Sequence, residues 1–169
     1  NKINKIIRLD KDFCRLIGYY LAEGYLGKNS VCFSFSENEN EYINEVKRLM
    51  KEIFGIAYSR YYKRRGTEGV EVMFFSTALA RLFGKLFYPK GIPRKANNKR
   101  LPDWTLLLSE IVQKEILIGW WRGDTGYTVS AELANQIKTI FLRLGIVPSI
   151  LKDSKKDHRR RGKHFLGGR

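Results

Sequence analysis

The chain has 169 residues, and its 32 Lys and Arg against 17 Asp and Glu give a net charge of +15. A basic excess of this size indicates a polyanionic partner, and nucleic acid is the commonest polyanion. No apolar run approaches the roughly 18 residues of a membrane span, and no signal-peptide pattern is present. Cys14 and Cys32 lack the spacing of a zinc site or a disulfide framework. We therefore expect an intracellular protein with no membrane partner.

The first half of the chain alternates helical and strand patterns. We predict a helix from Asp10 to Glu23, a half-buried strand over 30–37, an amphipathic helix over 38–55, a long hairpin over 56–76 and a short helix over 77–87. Residues 88–102 contain three of the four prolines and a cluster of basic residues, which is typical of a loop.

The second half restarts this order in a shorter form. Residues 103–123 are predicted to be mostly helical with a break near Ser109, followed by a helix over 130–145 and a strand over 146–152. The end of the chain, 155–169, is a basic run that either binds phosphates or is a solvated charge run.

Two segments about a hundred residues apart share one pattern. The segment "LIGYYLAEG" ends on Glu23 and "LIGWWRGDTG" carries Asp124 at the matching place. A second pair, "EYINEVKRLMKEIFGIAYS" and "AELANQIKTIFLRLGIVPS", follows in the same order. A spacing this large indicates two domain-sized halves rather than a solenoid repeat. We divide the chain into a first half, 1–102, and a second half, 103–169.

Each acid lies one position beyond a stripe of small residues. Gly18 and Ala22 are four residues apart, as are Gly119 and Gly123, so each pair lies on one helix face. Two such stripes allow close helix packing, which would bring the two carboxylates side by side. Adjacent carboxylates repel unless a cation lies between them, and oxygen ligands suit Mg²⁺ or Mn²⁺. Metals held in this way on a basic protein indicate phosphodiester hydrolysis.

These residues resemble the two signature motifs of the LAGLIDADG homing endonucleases, especially the two-motif endonuclease domains of archaeal inteins. The likeness includes both motif helices, the strand and hairpin after the first motif, the segment "KGIPRKANNKRLP" and the helix after the second motif. The resemblance implies an α+β fold of duplicated αββαββα halves. The motif helices would lie at a pseudo-two-fold interface, and two antiparallel sheets would form a saddle on DNA.

The resemblance also implies site residues. Glu23 and Asp124 would bind the metal, and Lys95 is matched to the family's lysine near the scissile phosphate, with Arg94 or Lys90 as alternatives. In the hairpin, Arg60, Tyr62 and Arg64 form one face and Lys63 and Arg65 lie on the other; the choice between the faces stays open. The predicted DNA contacts are Ser34, Ser36, Arg60, Tyr62, Lys63, Arg64, Arg65, Arg94, Lys152, Arg159, Arg160 and Arg161.

The chain departs from the family pattern in three places. The first motif ends in Glu23 rather than Asp, and Thr125 follows the second acid where Gly is usual. Gly55 follows Glu23 by 32 residues, whereas Gly145 follows Asp124 by only 21, so we expect the second half to be incomplete. Either the chain is a fragment or the enzyme is degenerate.

The predicted function is site-specific double-strand DNA cleavage by a monomer with internal symmetry. The alternative is a DNA-binding or maturase-like RNA-binding protein without cleavage. The likeness to archaeal inteins suggests an archaeal source and fusion to a splicing domain that this chain does not contain.

Overall fold

The structure, a computed structural model, describes residues 3, 4, 6–63 and 66–152. Its regular elements in chain order are α1 (Lys11–Glu23), β1 (Gly24–Leu26), β2 (Ser30–Ser36), α2 (Asn40–Phe54), β3 (Arg60–Lys63), β4 (Gly69–Phe75), α3 (Thr77–Phe87), α4 (Glu110–Asp124) and α5 (Ala131–Arg143). Short 3₁₀ helices at Ala96–Asn98 and Asp103–Leu107 lie in the segment between α3 and α4.

The first half contains a four-stranded antiparallel sheet of order β1-β2-β4-β3. The helix before it begins where predicted, because the Asp10 carboxylate accepts a hydrogen bond from the Phe13 amide at 3.0 Å. It ends at Glu23, and the next residue already belongs to β1. Three residues are too few for a sequence period, and for that reason β1 was not predicted.

One face of the sheet packs against the helices and forms part of the hydrophobic core. Burial alternates along β4, whereas β2 buries its first four residues and Phe35; the apolar side chains of both strands that face the helices belong to one core with α1, α2 and α3. Aromatic rings dominate this core, with Tyr20 contacting Phe33, Phe83 and Phe87 at centroid distances of 4.7–6.0 Å. The core fixes α1 against the sheet and thereby fixes the place where α1 ends.

The second half consists of α4, with its break at Ser109 as predicted, and α5, which begins after the Ser130 cap. The predicted strand over 146–152 is wrong: among the described residues after α5 there is no strand, and Val147, Ile150 and Leu151 are exposed. A strand requires a hydrogen-bonded partner, and Pro148 has no amide hydrogen to donate. The expected shortening of this half is confirmed for the described residues.

Candidate active site

The two motif helices, α1 and α4, are in backbone contact through their glycines. A Cβ added to Gly18 would lie 2.3 Å from the Ile116 carbonyl oxygen, and one added to Gly119 would lie 2.3 Å from the Arg15 carbonyl oxygen. Neither site has room for even a methyl group. The small-residue stripes therefore bring the helices together, as the sequence predicted.

This contact continues to the ends of both helices, where the acids lie. A Cβ added to Gly123 would lie 2.5 Å from the Ala22 Cβ and 3.4 Å from the Glu23 Oε1. The Glu23 carboxylate thus lies against the residue that precedes Asp124. The structure brings together the two acids that the sequence analysis paired, one from each half of the chain.

The carboxylate of Glu23 is unfavourable in its charged form. Burial first, and then the negative charges of Asp124 and Glu39, raise its pKa to about 8, while Lys99 opposes the shift. A proton or a cation at this place would relieve the repulsion. A divalent ion is the stronger candidate, because it neutralises both acids at once.

Lys99 is the lysine that the fold buries beside this pair. Its ammonium donates hydrogen bonds to the carbonyl oxygens of Tyr20 at 3.1 Å and Leu21 at 3.0 Å, in the last turn of α1. Burial lowers the pKa of Lys99 to about 8, although Glu23 and Asp124 favour its charged form. A cation at the C-terminal end of a helix also interacts favourably with the helix dipole.

The second half holds the backbone around Lys99. Ser130, the N-cap of α5, donates to the Lys99 carbonyl oxygen at 2.6 Å. The Gln136 amide group makes two hydrogen bonds to the Leu101 backbone, at 2.7 and 3.0 Å. Helix α5 therefore anchors a side chain that contacts the helix of the other half.

The basic residues matched to the family lysine lie elsewhere on the same segment. Lys95 and Lys90 are exposed, and the Arg94 guanidinium lies against Gly84 of α3. Lys99 lies on the same segment and was not among the residues selected from the sequence; the match of Lys95 to the family lysine stays a prediction. No local sequence pattern marks Lys99, because its position depends on hydrogen bonds from α5.

The donor set fits an ion that retains water ligands. In the described ranges, no group of three or more His, Cys, Asp or Glu side chains is placed to hold a metal ion. Mg²⁺ is usually bound by one or two carboxylates, with water and substrate phosphate oxygens completing the octahedron. Glu23 and Asp124 satisfy that smaller requirement.

A second polar cluster joins α4 to α1 and α2 behind the acids. Arg122, two residues before Asp124, donates to Glu45 at 2.9 Å, and the Tyr19 hydroxyl donates to the same carboxylate. Arg15 bonds to Glu45 at 3.3 Å and to Glu115 at 2.9 Å. These links cross from one half to the other, so they orient the end of α4 relative to α1.

Four predicted DNA contacts share the sheet face away from the helices. The register pairs Ser34 with Glu71, Tyr62 with Glu71 and Arg60 with Met73, and cross-strand partners lie on one face. Ser36 lies two residues along β2 on the same face. The four predicted residues on this open face are Ser34, Ser36, Arg60 and Tyr62.

The other predicted contacts do not join this face. Lys63 pairs across the ladder with the buried Val70, on the opposite side, and forms an ion pair with Glu37. Arg94 and Lys152 are exposed elsewhere. The remaining predicted contacts lie outside the described residues: Arg64, Arg65, Arg159, Arg160 and Arg161.

Comparison with known proteins agrees with this geometry. Residues 10–87, from the cap of α1 to the end of α3, match the family described as the LAGLIDADG-like domain. Slightly less than half of the chain is therefore similar to LAGLIDADG proteins. None of the helices in the described part of the chain has the length and hydrophobicity that a membrane span requires.

Solved structures extend the likeness to both motif helices. A structure of the homing endonuclease I-DmoI is similar with a TM-score of 0.62 at 14% identity, over 88% of this chain and 85% of that chain. Another, described as I-DmoI in complex with DNA and Mn, has a TM-score of 0.59 at 12% identity, over 88% and 86%. The chain therefore has the LAGLIDADG homing-endonuclease fold.

Relatives with closer sequences are much longer proteins. Uncharacterized protein MJ0043 of Methanocaldococcus jannaschii is 40% identical over 93% of this chain, which is 20% of that protein. The DNA polymerase II large subunit of Thermococcus kodakarensis is 29% identical over 83% of this chain, which is 8% of that protein. The chain thus spans a fifth or less of the length of these relatives.

Proposed function

We propose that this protein is a divalent-metal-dependent endonuclease that cuts double-stranded DNA at a specific site. The observation that carries the proposal is the meeting of Glu23 and Asp124 at the ends of two helices in backbone contact. A net charge of +15 supports DNA as the partner, since a basic protein gains affinity by releasing counterions from phosphates.

In this proposal each residue of the site has a defined task. Glu23 and Asp124 hold Mg²⁺ or Mn²⁺, which would polarise the scissile phosphate and lower the pKa of bound water. Lys99 holds a positive charge beside both carboxylates and fixes the last turn of α1 through Tyr20 and Leu21. The Arg122–Glu45 pair positions the end of α4 that carries Asp124.

The test begins with a DNA site recovered from a random double-stranded library by binding selection in Ca²⁺. A plasmid that carries this site is then incubated with the protein in Mg²⁺, in Mn²⁺ or in EDTA. We expect linear product with either metal and none in EDTA. Glu23→Gln and Asp124→Asn should each reduce cleavage by more than about 100-fold, because each removes a metal ligand, and both should still bind the site.

The matched control for these variants is Glu52→Gln. Glu52 is an exposed acid on α2, paired with Arg48, and removal of its charge leaves the helix contact unchanged. Cleavage at the wild-type rate by either motif variant would refute the metal assignment.

A second candidate function, specific DNA binding without cleavage, is favoured by one observation. Thr125, directly after the second acid, adopts a left-handed conformation with φ 45°, which is costly for a β-branched residue. Backbone strain next to a proposed metal-binding residue is typical either of a working active site or of an active site that has lost its activity. Binding of the selected site in both metals without any linear product would establish this second function.

We further propose that the chain is an inserted segment of a longer protein and is fused there to an intein splicing domain. A segment similar to it occupies 8% of a DNA polymerase subunit and 20% of MJ0043, which indicates a unit carried within unrelated proteins. Expression of the full reading frame followed by mass spectrometry tests this. A product from which the segment has been excised supports the proposal, and an intact long chain as the only product refutes it.

A further inference from the structure

The open face of the sheet has a polar end and an apolar end. Ser34 of β2 and Tyr62 of β3 lie in one row at the polar end. In the next row towards the other end, Cys32 of β2 is paired with Met73 of β4. Phe75 lies two residues farther along β4 on the same face. The apolar end therefore consists of Cys32, Met73 and Phe75.

Phe75 is the most accessible residue of the apolar end. It is 46% exposed, whereas Met73 is half-buried and Cys32 is 1% exposed. Val72 and Phe74 are fully buried on the side of the helices, so the alternation of the strand directs Phe75 to the open side. Among the phenylalanines that the structure describes, Phe75 is the exposed one.

The backbone around Phe75 is fixed by the sheet. The Phe75 amide donates a hydrogen bond to the Ser59 hydroxyl oxygen at 3.2 Å, and the Ser59 amide donates to the Met73 carbonyl oxygen at 2.8 Å. Across the ladder Phe75 is paired with Ser30 of β2, which has a small side chain. The aromatic ring is thus presented from a rigid strand, which lowers the entropy lost when it contacts a partner.

Duplex DNA offers one apolar group that suits such a ring. The major-groove edges of the base pairs present hydrogen-bond donors and acceptors, and thymine adds its C5 methyl group. Phenylalanine is among the side chains that contact this methyl group, and β-strands of DNA-binding proteins enter the major groove. Uracil in RNA lacks the methyl group, and the major groove of A-form RNA is too narrow for side chains.

We propose that Phe75 packs against the C5 methyl group of a thymine in the major groove and so specifies one T·A pair of the target. This inference rests on the proposed function, because it requires specific binding to duplex DNA. Met73, on the same strand, extends the apolar surface beside the ring. Arg60 of β3 is paired with Met73 and supplies a positive charge next to this surface.

The test begins with the site that the wild type selects from a random duplex library in Ca²⁺. Each thymine of this site is then replaced, one at a time, by deoxyuridine, which keeps the base pair and lacks only the methyl group. We expect one replacement to weaken binding by the wild type about fourfold, as for one methyl-sized group that is no longer buried. Phe75→Ser should bind the thymine and deoxyuridine sites equally, because it lacks the ring that the methyl group contacts.

Two further variants complete the comparison. Phe75→Gln also removes the apolar contact, so the result does not depend on the folding of a single variant, and thermal unfolding checks both. The matched control is Leu142→Ser on α5, because Leu142 is 47% exposed and lies outside the sheet. This control should show the same fourfold loss as the wild type at the same thymine.

The outcomes separate the two proposals. If the wild type selects a site in which no thymine is sensitive to loss of its methyl group, the Phe75 inference is wrong and the proposed function stands. If a sensitive thymine is equally sensitive in Phe75→Ser and Phe75→Gln, the inference is also wrong, because another residue makes the contact. If the wild type selects no site, the proposed function fails, and the inference fails with it.

Discussion

The structures of the two halves differ from the residue that follows each acid. Gly24, which follows Glu23, is extended with φ −79° and begins β1. A Cβ added to Gly24 would lie 2.1 Å from the ring of Tyr20. Thr125, which follows Asp124, has φ 45° and turns the chain away from α4. One half therefore continues from motif helix to sheet, and the other continues from motif helix to α5.

The acid pair and a DNA-contacting surface therefore have different structural requirements. The pair requires only two helices in backbone contact, and both halves supply that equally. A surface that could enter a DNA groove is present in the first half, where three strands of the sheet place Ser34, Arg60, Tyr62 and Glu71 on one face. Among the described residues, the second half supplies no such face.

Both halves contribute a glycine to the helix contact, and substitution of either glycine should have the largest effect of the changes considered. Gly119→Ala and Gly18→Ala should each destabilise the protein by about 3 kcal/mol, because the new Cβ meets backbone that cannot move without separating the helices. Both should also abolish cleavage. Thermal and urea unfolding measure the loss of stability, and the plasmid assay measures cleavage.

Gly84→Ala is the control for both variants. Gly84 is also helical and buried, but its added Cβ meets only the flexible end of Arg94, at 2.7 Å. Helix propensity favours Ala by about 1 kcal/mol, so the net change should be small. A similar loss in all three variants would mean that the helix contact has no special role.

The helix contact is the part of the site that the sequence predicted well. Gly and Ala at four-residue spacing, directly before an acid, require no knowledge of the rest of the fold. Strands β2 and β4 were also predictable, because Val31, Phe33 and Phe35 alternate with smaller polar side chains. The helix α2 ends at Gly55 with φ 72°, as expected for a glycine stop.

The parts that the sequence missed depend on long-range contacts. Lys99 lies by the acids because Ser130 and the Gln136 side chain hold its segment from a helix 30 residues later. The strand expected over 146–152 does not form, and none of the described strands pairs with this segment. Neither condition leaves a local pattern in the chain.

Lys99 gives the next largest effect and tests how the halves cooperate. Lys99→Met keeps the length of the side chain but leaves the carbonyls of Tyr20 and Leu21 without their donor, so we expect a loss of about 2 kcal/mol in unfolding free energy. Cleavage should fall further than stability accounts for, because the charge beside the acids is lost. Lys95→Met, on the exposed loop, should change stability by less than about 0.5 kcal/mol. Equal cleavage by the two variants would remove Lys99 from the site.

The pH dependence of metal binding tests whether the acids from the two halves act as one site. The pKa of Glu23 is raised to about 8, so at neutral pH the metal must displace a proton. Apparent affinity for Mn²⁺ should rise by up to about tenfold per pH unit between 6 and 8 and level off above 8. Calorimetry in two buffers of different ionisation enthalpy should detect proton release at pH 7 and none for Glu23→Gln. An affinity that is flat across this range would contradict the raised pKa.

The smallest expected effect concerns the residue at which the halves diverge. Thr125→Gly should stabilise the protein by about 1 kcal/mol, because glycine adopts φ 45° without the strain of a β-branched side chain. Gly24→Ala, the matching position in the first half, should destabilise instead, since its φ is ordinary but its Cβ would strike Tyr20. Unfolding in urea measures both changes. If Thr125→Gly also raises the cleavage rate, the strain after Asp124 marks divergence of the second half; if stability rises while cleavage falls, the strained turn positions the acid.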